Sequence, residues 1–354
     1  MSRAIETFFG GTDTRPPACF VVRRKSSIPC GFCAEFVEPR EARQCNTVGR
    51  VEWRAAGTTV SVCGSLDIVE ATLVQPTKTL YSAHHLKLLK SNLQKAIRRG
   101  LVQAAVSTAR EMMTIDSLQV VQRLAIIWIE DCVLTAEFPI LVWCLAAMTK
   151  GWALTEELAS VVIALAGRLA AMPIRDVHGK KRERYPVSRL REVKSQAERS
   201  LLYALQFRRD FQSLSCDKQM IDRCVSDWAG RFASGTTTEL VLPDLSPDVS
   251  LDLPMTDTHW SEAAVDQHCS SLCSWVAADF QLPEALVRRA VWECSSRITT
   301  KKAWEKGRDQ PDTSEGVEEL WERLRVCVHR KAVWVLSRLP RASSGSDHAT
   351  AAGL

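Results

Sequence analysis

Apolar residues recur at a helical spacing from about residue 81 onward, and this spacing limits the possible folds of the chain. In the segment YSAHHLKLLKSNLQKAIRRG, Ser82 can cap a helix and Gly100 can end it. Between them, apolar residues recur every three or four positions, at Leu86, Leu89, Leu93 and Ile97. The spacing predicts an amphipathic helix whose apolar stripe packs against other helices.

The same spacing recurs in later segments of the chain. Helices are predicted in LVQAAVSTAREMM, SLQVVQRLAIIWIEDCVL, PILVWCLAAMTKG, TEELASVVIALAGRLAAM and SQAERSLLYALQFRRDF, and in three segments after residue 258. Residues 18–76 differ, because ACFVV, VGRVEW and TTVSVCG are short, rich in β-branched residues and separated by Gly and Pro. The sequence therefore predicts a mainly α protein, a helical bundle with a small strand-containing N-terminal unit.

Changes of composition along the chain predict six segments. The two ends have the Gly, Ser, Thr, Ala and Pro content of flexible tails. A segment of low helix propensity, which begins ASGTTTELVLPDLSP, separates two helical blocks. In order, the predicted segments are a flexible tail at 1–17, a β-rich zinc-binding unit at 18–76, a helical domain at 77–232, a linker at 233–258, a C-terminal helical block at 259–340 and a disordered tail at 341–354.

Composition limits the class of protein. The 354 residues include 46 Lys and Arg and 41 Asp and Glu, so the formal net charge is only +5 and a nucleic-acid role must rest on local basic clusters. Thirteen cysteines without a secretory signal segment predict reduced thiols inside the cell. No apolar run reaches about eighteen residues, so we expect no membrane contact. The expected location is the nucleus, with the cytoplasm as the alternative.

The sequence lacks the motifs of common enzyme classes. It contains neither G-x-x-x-x-G-K-[ST] nor G-x-G-x-x-G after a strand, so no nucleotide cofactor is expected. It also contains neither G-x-S-x-G nor H-E-x-x-H. The segment AIIWIED at 125–131 is similar to the apolar-then-acidic strand that positions magnesium in ATPases, but it lies in a helical pattern without a phosphate loop before it. We therefore expect a protein that is not an enzyme.

A row of basic residues follows the polar side of the helix predicted after Ser82. With the apolar stripe facing inward, Lys87, Lys90 and Arg98 fall on another face, and Lys95 and Arg99 lie beside them. Cations spaced along a helix can meet the phosphates of a nucleic-acid backbone without reading its sequence. These five residues are the hypothetical DNA contact. The alternative is a solvated helix face whose cations lie near the negative C-terminal end of the helix dipole.

Four cysteines of the N-terminal unit are candidate zinc ligands. The segment PCGFC places Cys30 and Cys33 at the C-x-x-C spacing that supplies two tetrahedral ligands, and Cys45 and Cys63 can complete the set. One zinc ion is therefore the cofactor that the sequence predicts. The alternative is four unliganded thiols, since a thioredoxin-like redox role would need a βαβ setting that the sequence does not show.

The first ten residues, MSRAIETFFG, carry three large apolar side chains ahead of a GGTDTRPP tether. Ile5, followed three residues later by Phe8 and Phe9, resembles the motif by which replication and repair proteins bind the PCNA sliding clamp, with Ser2 at the position of the motif's glutamine. The resemblance implies that these side chains enter a hydrophobic pocket of a PCNA-type clamp, while the tether lets the rest of the protein search nearby DNA. The alternative is that they pack against the folded body.

A second resemblance concerns residues 101–150. There Arg123 and Leu124, an apolar run, and then Glu130 and Asp131 follow each other with the spacing found in the helical region after the ATPase module of RarA/MgsA-type AAA+ proteins. The resemblance implies a helical domain like the collar of clamp loaders, here without the ATPase module. From burial alone, Glu130 and Asp131 are expected to be structural and to have a basic partner on a neighbouring helix.

These observations together predict a function. The expected role is a non-catalytic accessory factor of DNA replication or repair that binds the sliding clamp and contacts DNA. The alternative is a helical protein–protein interaction scaffold without a nucleic-acid role. A third hypothesis is an enzyme of a class that the motifs do not reveal, either a metal-dependent nuclease or a redox protein that uses Cys30 and Cys33.

Overall fold

A computed structural model describes residues 17–72, 79–178, 184–235, 241–269, 272–297, 301–304 and 314–339. It confirms the predicted class, because the protein is 61% helical and carries a small four-stranded sheet near its N-terminus. Contacts divide the chain into a sheet unit, formed by Met1–Glu70, Ala136–Trp152 and His178–Leu240, and a helical unit, formed by Ala71–Thr135, Ala153–Val177 and Val241–Leu354. Residues 77–232, predicted as one helical domain, thus contribute to both units. The spacing of apolar residues does not predict which helices pack together.

Four strands form the sheet: β1 (Cys19–Arg24), β2 (Phe32–Val37), β3 (Asn46–Trp53) and β4 (Thr58–Gly64). Their order is β2-β1-β4-β3, with β1 antiparallel to β2, parallel to β4, and β3 antiparallel to β4. Phe20 of β1 stacks on Phe36, its partner in β2, with ring centroids 4.2 Å apart. Because side chains alternate along a strand, Cys19 and Val37 point to the opposite face.

The helices of the sheet unit are α1 (Leu66–Val69), α4 (Phe138–Met148), α6 (Gln196–Asp210) and α7 (Ser215–Ser234). Phe207 of α6 packs edge-on against Phe36, with ring centroids 6.0 Å apart. Trp143 of α4 donates its indole N–H to the carbonyl oxygens of Phe20 (3.1 Å) and Cys63 (2.9 Å). These buried rings form the core of the unit on one face of the sheet.

In the helical unit, α2 (Leu86–Arg98), α3 (Val102–Asp131) and α5 (Glu156–Ala171) pack together. Of the predicted apolar stripe of α2, Leu89, Leu93 and Ile97 are buried and Leu86 is half-buried. Two segments predicted as separate helices are continuous in α3, but they meet at Asp116, whose backbone is not helical (φ −160°, ψ 94°). Its Oδ1 accepts the backbone N–H of Gln119 at 3.2 Å, as an N-cap residue does, so the second half of α3 begins there.

The remaining elements of the helical unit are β5 (Ile174–Arg175), α8 (Glu262–Cys269), α9 (Leu272–Phe280), α10 (Glu284–Ser295), β6 (Lys302–Ala303) and α11 (Val317–Ser337), with β5 and β6 parallel. The predicted linker 233–258 is described from residue 241 onward. Arg168 of α5 donates to the carbonyl oxygens of Leu242 (2.9 Å) and Pro243 (3.0 Å), so this segment is attached to the unit.

By length and composition alone, α3 is apolar enough to cross a membrane. Its most apolar 18-residue window has a mean hydropathy of 1.2, and 56% of that window is buried inside the protein. The core helix of a soluble protein passes the same test, so the helix carries no argument about a membrane.

Candidate functional site

An arginine-lined groove of about 560 Å³ lies on the sheet unit. Three segments form it: the end of β1, the 3-10 turn Pro39–Ala42 with the residues after it, and the start of α1. Its lining residues are Arg23, Arg24, Arg40, Glu41, Arg43, Gln44, Cys45, Ser65 and Asp67. Four of these nine side chains are arginines, and none is aromatic.

Strand direction explains why the groove forms here. Because β1 and β4 are parallel, their carboxyl ends meet at the same edge of the sheet, and Val22 lies opposite Gly64. The residues that follow each strand are therefore neighbours. Arg24 Nε donates to the Asp67 carboxylate at 2.6 Å, across this edge. Arg23 Nη2 donates to the backbone carbonyl of Glu41 at 2.5 Å and so joins β1 to the 3-10 turn.

The groove carries more positive than negative charge, with four guanidinium groups against the carboxylates of Glu41 and Asp67. Hydrogen bonds from Ser65 and Arg24 hold the pKa of Asp67 below its usual value. The Glu41 carboxylate accepts the backbone N–H of Glu38 at 3.4 Å and stabilises the 3-10 turn. Both carboxylates therefore have structural partners, while Arg40 and Arg43 are exposed to solvent. A guanidinium matches the geometry of a phosphate, so the groove has the chemistry of an anion site.

The predicted zinc ligands lie in two places. Cys45 lines the groove and packs against the apolar cluster that contains the buried side chains of Cys63 and Cys19. Cys30 Sγ lies 3.3 Å from the carbonyl oxygen of Phe32, in the turn between β1 and β2. Cys33 follows in β2, and burial raises the pKa of both its thiol and that of Cys63, which favours neutral thiols.

The sheet register separates Cys33 from Cys63. Cys33 pairs with Arg23 on one side of β1, and Cys63 pairs with Val21 on the other side. Two strand spacings amount to about 10 Å, whereas two thiolates on one zinc lie within about 4 Å of each other. Within the ranges that the structure describes, no three His, Cys, Asp or Glu side chains are arranged to hold a metal. The zinc ion stays a prediction, and the structure does not bring its four ligands together.

The five basic residues predicted to contact DNA are not one exposed row. Lys87 is exposed, Lys90 is half-buried and donates to Gln119 of α3, and Lys95 is buried. Arg98 and Arg99 are half-buried. The predicted apolar stripe faces the core, but α3 and α8 also contact the polar side of α2, where Lys90 donates to Gln119 and Lys95 to Gln267.

Arg98 pairs with a carboxylate of the neighbouring helix. Its Nε lies 3.0 Å from Asp131 Oδ1, and its Nη2 lies 3.2 Å from Oδ2. This ion pair confirms the expected basic partner for Asp131. Gln94 donates to Glu130 at 2.5 Å and to Asp131 at 3.1 Å. Burial, and then the neighbouring Asp131, raises the pKa of Glu130. Arg99 donates to the carbonyl oxygen of Arg297 at 3.4 Å.

The predicted clamp-binding residues, Ile5, Phe8 and Phe9, lie outside the described residues. Comparison with family models, with curated proteins and with solved structures found no match. The resemblance to the collar region of RarA/MgsA-type proteins therefore stays a hypothesis.

The arginine groove could not be recognised in the sequence. Its signals were the pair Arg23 and Arg24 at the end of a predicted strand, and the segment EPREAR, which contains Arg40 and Arg43. Each pair alone is an ordinary surface feature. Only the pairing of β1 with β4 and the position of the 3-10 turn bring the two pairs to one groove.

Proposed function

We propose that this protein is a non-catalytic accessory factor of DNA replication or repair that binds the nucleic-acid backbone through the arginine-lined groove. The observation that supports this proposal is the convergence of four arginines from two segments, the end of β1 and the 3-10 turn, on one groove of about 560 Å³. The proposal transfers the DNA contact from α2, whose basic residues are mostly covered, to the sheet unit.

Phosphate is the part of a nucleic acid that this groove suits. Guanidinium groups can donate two parallel hydrogen bonds to phosphate oxygens. Because no aromatic ring is among its nine lining residues, the groove has no aromatic surface on which bases can stack. Binding of this type depends on charge and follows phosphate contacts instead of sequence.

The proposal assigns no reaction to the groove, since Asp67 and Glu41 are hydrogen-bonded to Arg24 and to the turn backbone. It retains contact with a PCNA-type sliding clamp through Ile5, Phe8 and Phe9, on the basis of the sequence motif. The clamp-loader-like arrangement inferred from Arg123, Leu124, Glu130 and Asp131 gives this contact a context in replication or repair.

A salt titration of DNA binding tests the groove. We expect labelled duplex DNA to bind the wild-type protein with an affinity that falls steeply as salt rises. The double variant Arg40→Gln with Arg43→Gln should bind more weakly, and its slope of log affinity against log salt should be smaller by about 0.9 for each phosphate that the variant no longer neutralises. Fluorescence anisotropy at several salt concentrations measures both quantities.

The matched control is Arg54→Gln, also in the sheet unit, whose side chain is 86% exposed and pairs with Glu52 outside the groove. It should retain the wild-type slope. If the groove variant and the control bind equally, the contact lies on another surface. If the folded wild-type protein binds no nucleic acid even at low salt, the alternative of a protein–protein interaction scaffold replaces the proposal.

A further inference from the structure

Two tryptophans of the helical unit lie at its surface with their rings in contact. Trp275 of α9 is 37% exposed and Trp334 of α11 is 47% exposed. Their ring centroids are 5.4 Å apart and their planes are nearly perpendicular, at 81°. This edge-to-face geometry is favourable for aromatic rings, so each ring holds the other in position. Single exposed apolar residues are ordinary, but a contacting pair of the largest side chains indicates a binding surface.

Two exposed arginines accompany Trp334 along α11. Arg330, Trp334 and Arg338 recur every four residues, which places them on one face of the helix. The Arg338 guanidinium lies 4.0 Å from the centroid of the Trp334 ring. Lys331 pairs with Asp279 of α9 at 2.7 Å, so this neighbouring pair adds no net charge. The surface around the two rings therefore keeps the positive charge of its arginines.

We propose that Trp275, Trp334, Arg330 and Arg338, here called the tryptophan platform, bind single-stranded nucleic acid by stacking its unpaired bases. Every base has a flat face that can stack on an indole ring, and arginines beside the ring can meet the phosphates of the same strand. A base can also lie on the Arg338 guanidinium or take its place on Trp334, because arginine stacks on flat rings as well. The inference rests on the proposed function. It extends the proposed ligands of the protein to single-stranded nucleic acid.

Charge decides between a nucleic acid and the other occupants of such a surface. A second copy of the chain, or an apolar protein segment, would gain nothing from two arginines beside the rings, whereas a polyanion would. A duplex hides the faces of its bases within its own stack, so it offers phosphates but no surface for the indoles. The combination of exposed rings with flanking cations therefore favours a single strand.

The test compares three probes of equal length: oligothymidylate, a single strand of abasic sites, and a duplex. The platform variant carries Trp275→Leu and Trp334→Leu, which keep apolar side chains at both positions. We expect it to lose roughly tenfold or more in affinity for oligothymidylate. Its affinity for the abasic strand and for the duplex should not change, because neither probe presents an unpaired base.

The matched control is Val326→Ala, which removes another exposed apolar side chain from α11 and should bind all three probes as the wild type does. Thermal melting checks that every variant is folded. Unchanged oligothymidylate binding by the platform variant would overturn the inference, and so would an equal loss for all three probes. A concentration-dependent dimer that only this variant loses, with unchanged binding of oligothymidylate, would assign the rings to a second copy and also overturn it.

The same probes separate this inference from the proposed function. If the wild type binds the duplex and the abasic strand but shows no added affinity for oligothymidylate, the platform fails and the groove stands. If the wild type binds none of the probes, the proposed function fails. The Arg40→Gln with Arg43→Gln variant should weaken binding of all three, which the platform variant should not.

Discussion

Lys95 is 4% exposed inside the helical unit. Its ammonium group donates to Ser91 Oγ at 2.6 Å and to Gln267 Oε1 at 2.9 Å, and it lies 5.3 Å from the centroid of the Trp292 ring. Burial, with Arg98 nearby, lowers the pKa of Lys95 from 10.5 to about 8. Hydrogen bonds and a ring face replace only part of the water that the charge loses, so the folded protein holds the Lys95 proton less tightly than water-exposed lysine does.

The buried amine makes stability depend on alkaline pH. Between pH 8 and 10.5 the unfolded chain holds the Lys95 proton while the folded protein releases it. The unfolding free energy should therefore rise through this window, by about 3 kcal/mol relative to Lys95→Met. Urea unfolding of both proteins across the window measures this difference. The titration of the cysteines cancels, because both proteins contain the same cysteines.

Lys87→Met is the control, because Lys87 is exposed on the same helix. It should follow the wild-type pH dependence. Identical pH profiles for Lys95→Met and the wild type would mean that Lys95 keeps its ordinary pKa in the folded protein.

Within α3, one residue decides where the second half of the helix begins. Asp116 leaves the helical conformation, and its carboxylate accepts the backbone N–H of Gln119. The first turn of the second half would otherwise have an unsatisfied donor there. The kink thus has a local cause in the sequence, a short acidic side chain at the N-cap position of a helix.

Removing this cap should destabilise the protein moderately. We expect Asp116→Ala to lower the unfolding free energy by about 1 kcal/mol, since alanine offers no acceptor to the N–H of Gln119. Asp116→Asn keeps an oxygen acceptor in the same place and should remain close to the wild type. Chemical denaturation of the three proteins provides the measurement. Equal stability of the alanine and asparagine variants would show that the carboxylate does not cap the helix.

Each compact unit is formed by three separate stretches of the chain. The proposed sites differ in how much they depend on this folding. The arginine groove and the tryptophan platform depend on folded elements, whereas the clamp motif at Ile5, Phe8 and Phe9 consists of neighbouring residues in the sequence. A motif of this kind can act without contributing to the core of either unit.

The clamp contact should therefore be separable from folding. We expect Phe8→Ala with Phe9→Ala to abolish binding of a purified sliding clamp without changing the melting temperature. Each aromatic at a hot spot contributes on the order of 2 kcal/mol or more, and a motif without its glutamine starts from about −8 kcal/mol, a micromolar affinity. Isothermal titration measures binding, with Thr7→Ala as the control inside the motif.

Two results would contradict the clamp contact. One is a wild-type protein that does not bind the clamp. The other is a lower melting temperature for the double alanine variant, which would place Phe8 and Phe9 in the folded core.

The fold could be predicted from the sequence more fully than the sites could. Strands β1, β3 and β4 and the apolar stripe of α2 were predictable, because β-branched runs and three- or four-residue spacing act within a few positions of the chain. Strand β2 was not predicted. Cys30 and Cys45 were grouped as ligands of one metal because spacing alone does not show strand register. In the sheet they belong to different neighbourhoods.

Local patterns in the sequence were enough to predict the class of elements and a basic partner for Asp131, since these depend on local spacing and on the cost of burying a charge. The burial of Lys95 and the choice of Arg98 as the partner, 33 residues away along the chain, depend on how the helices pack. The meeting of Arg24 and Arg43 in one groove likewise depends on the packing of the sheet unit. Burial and charge clustering result from contacts between distant residues, and a local pattern contains no information about which distant residues will meet.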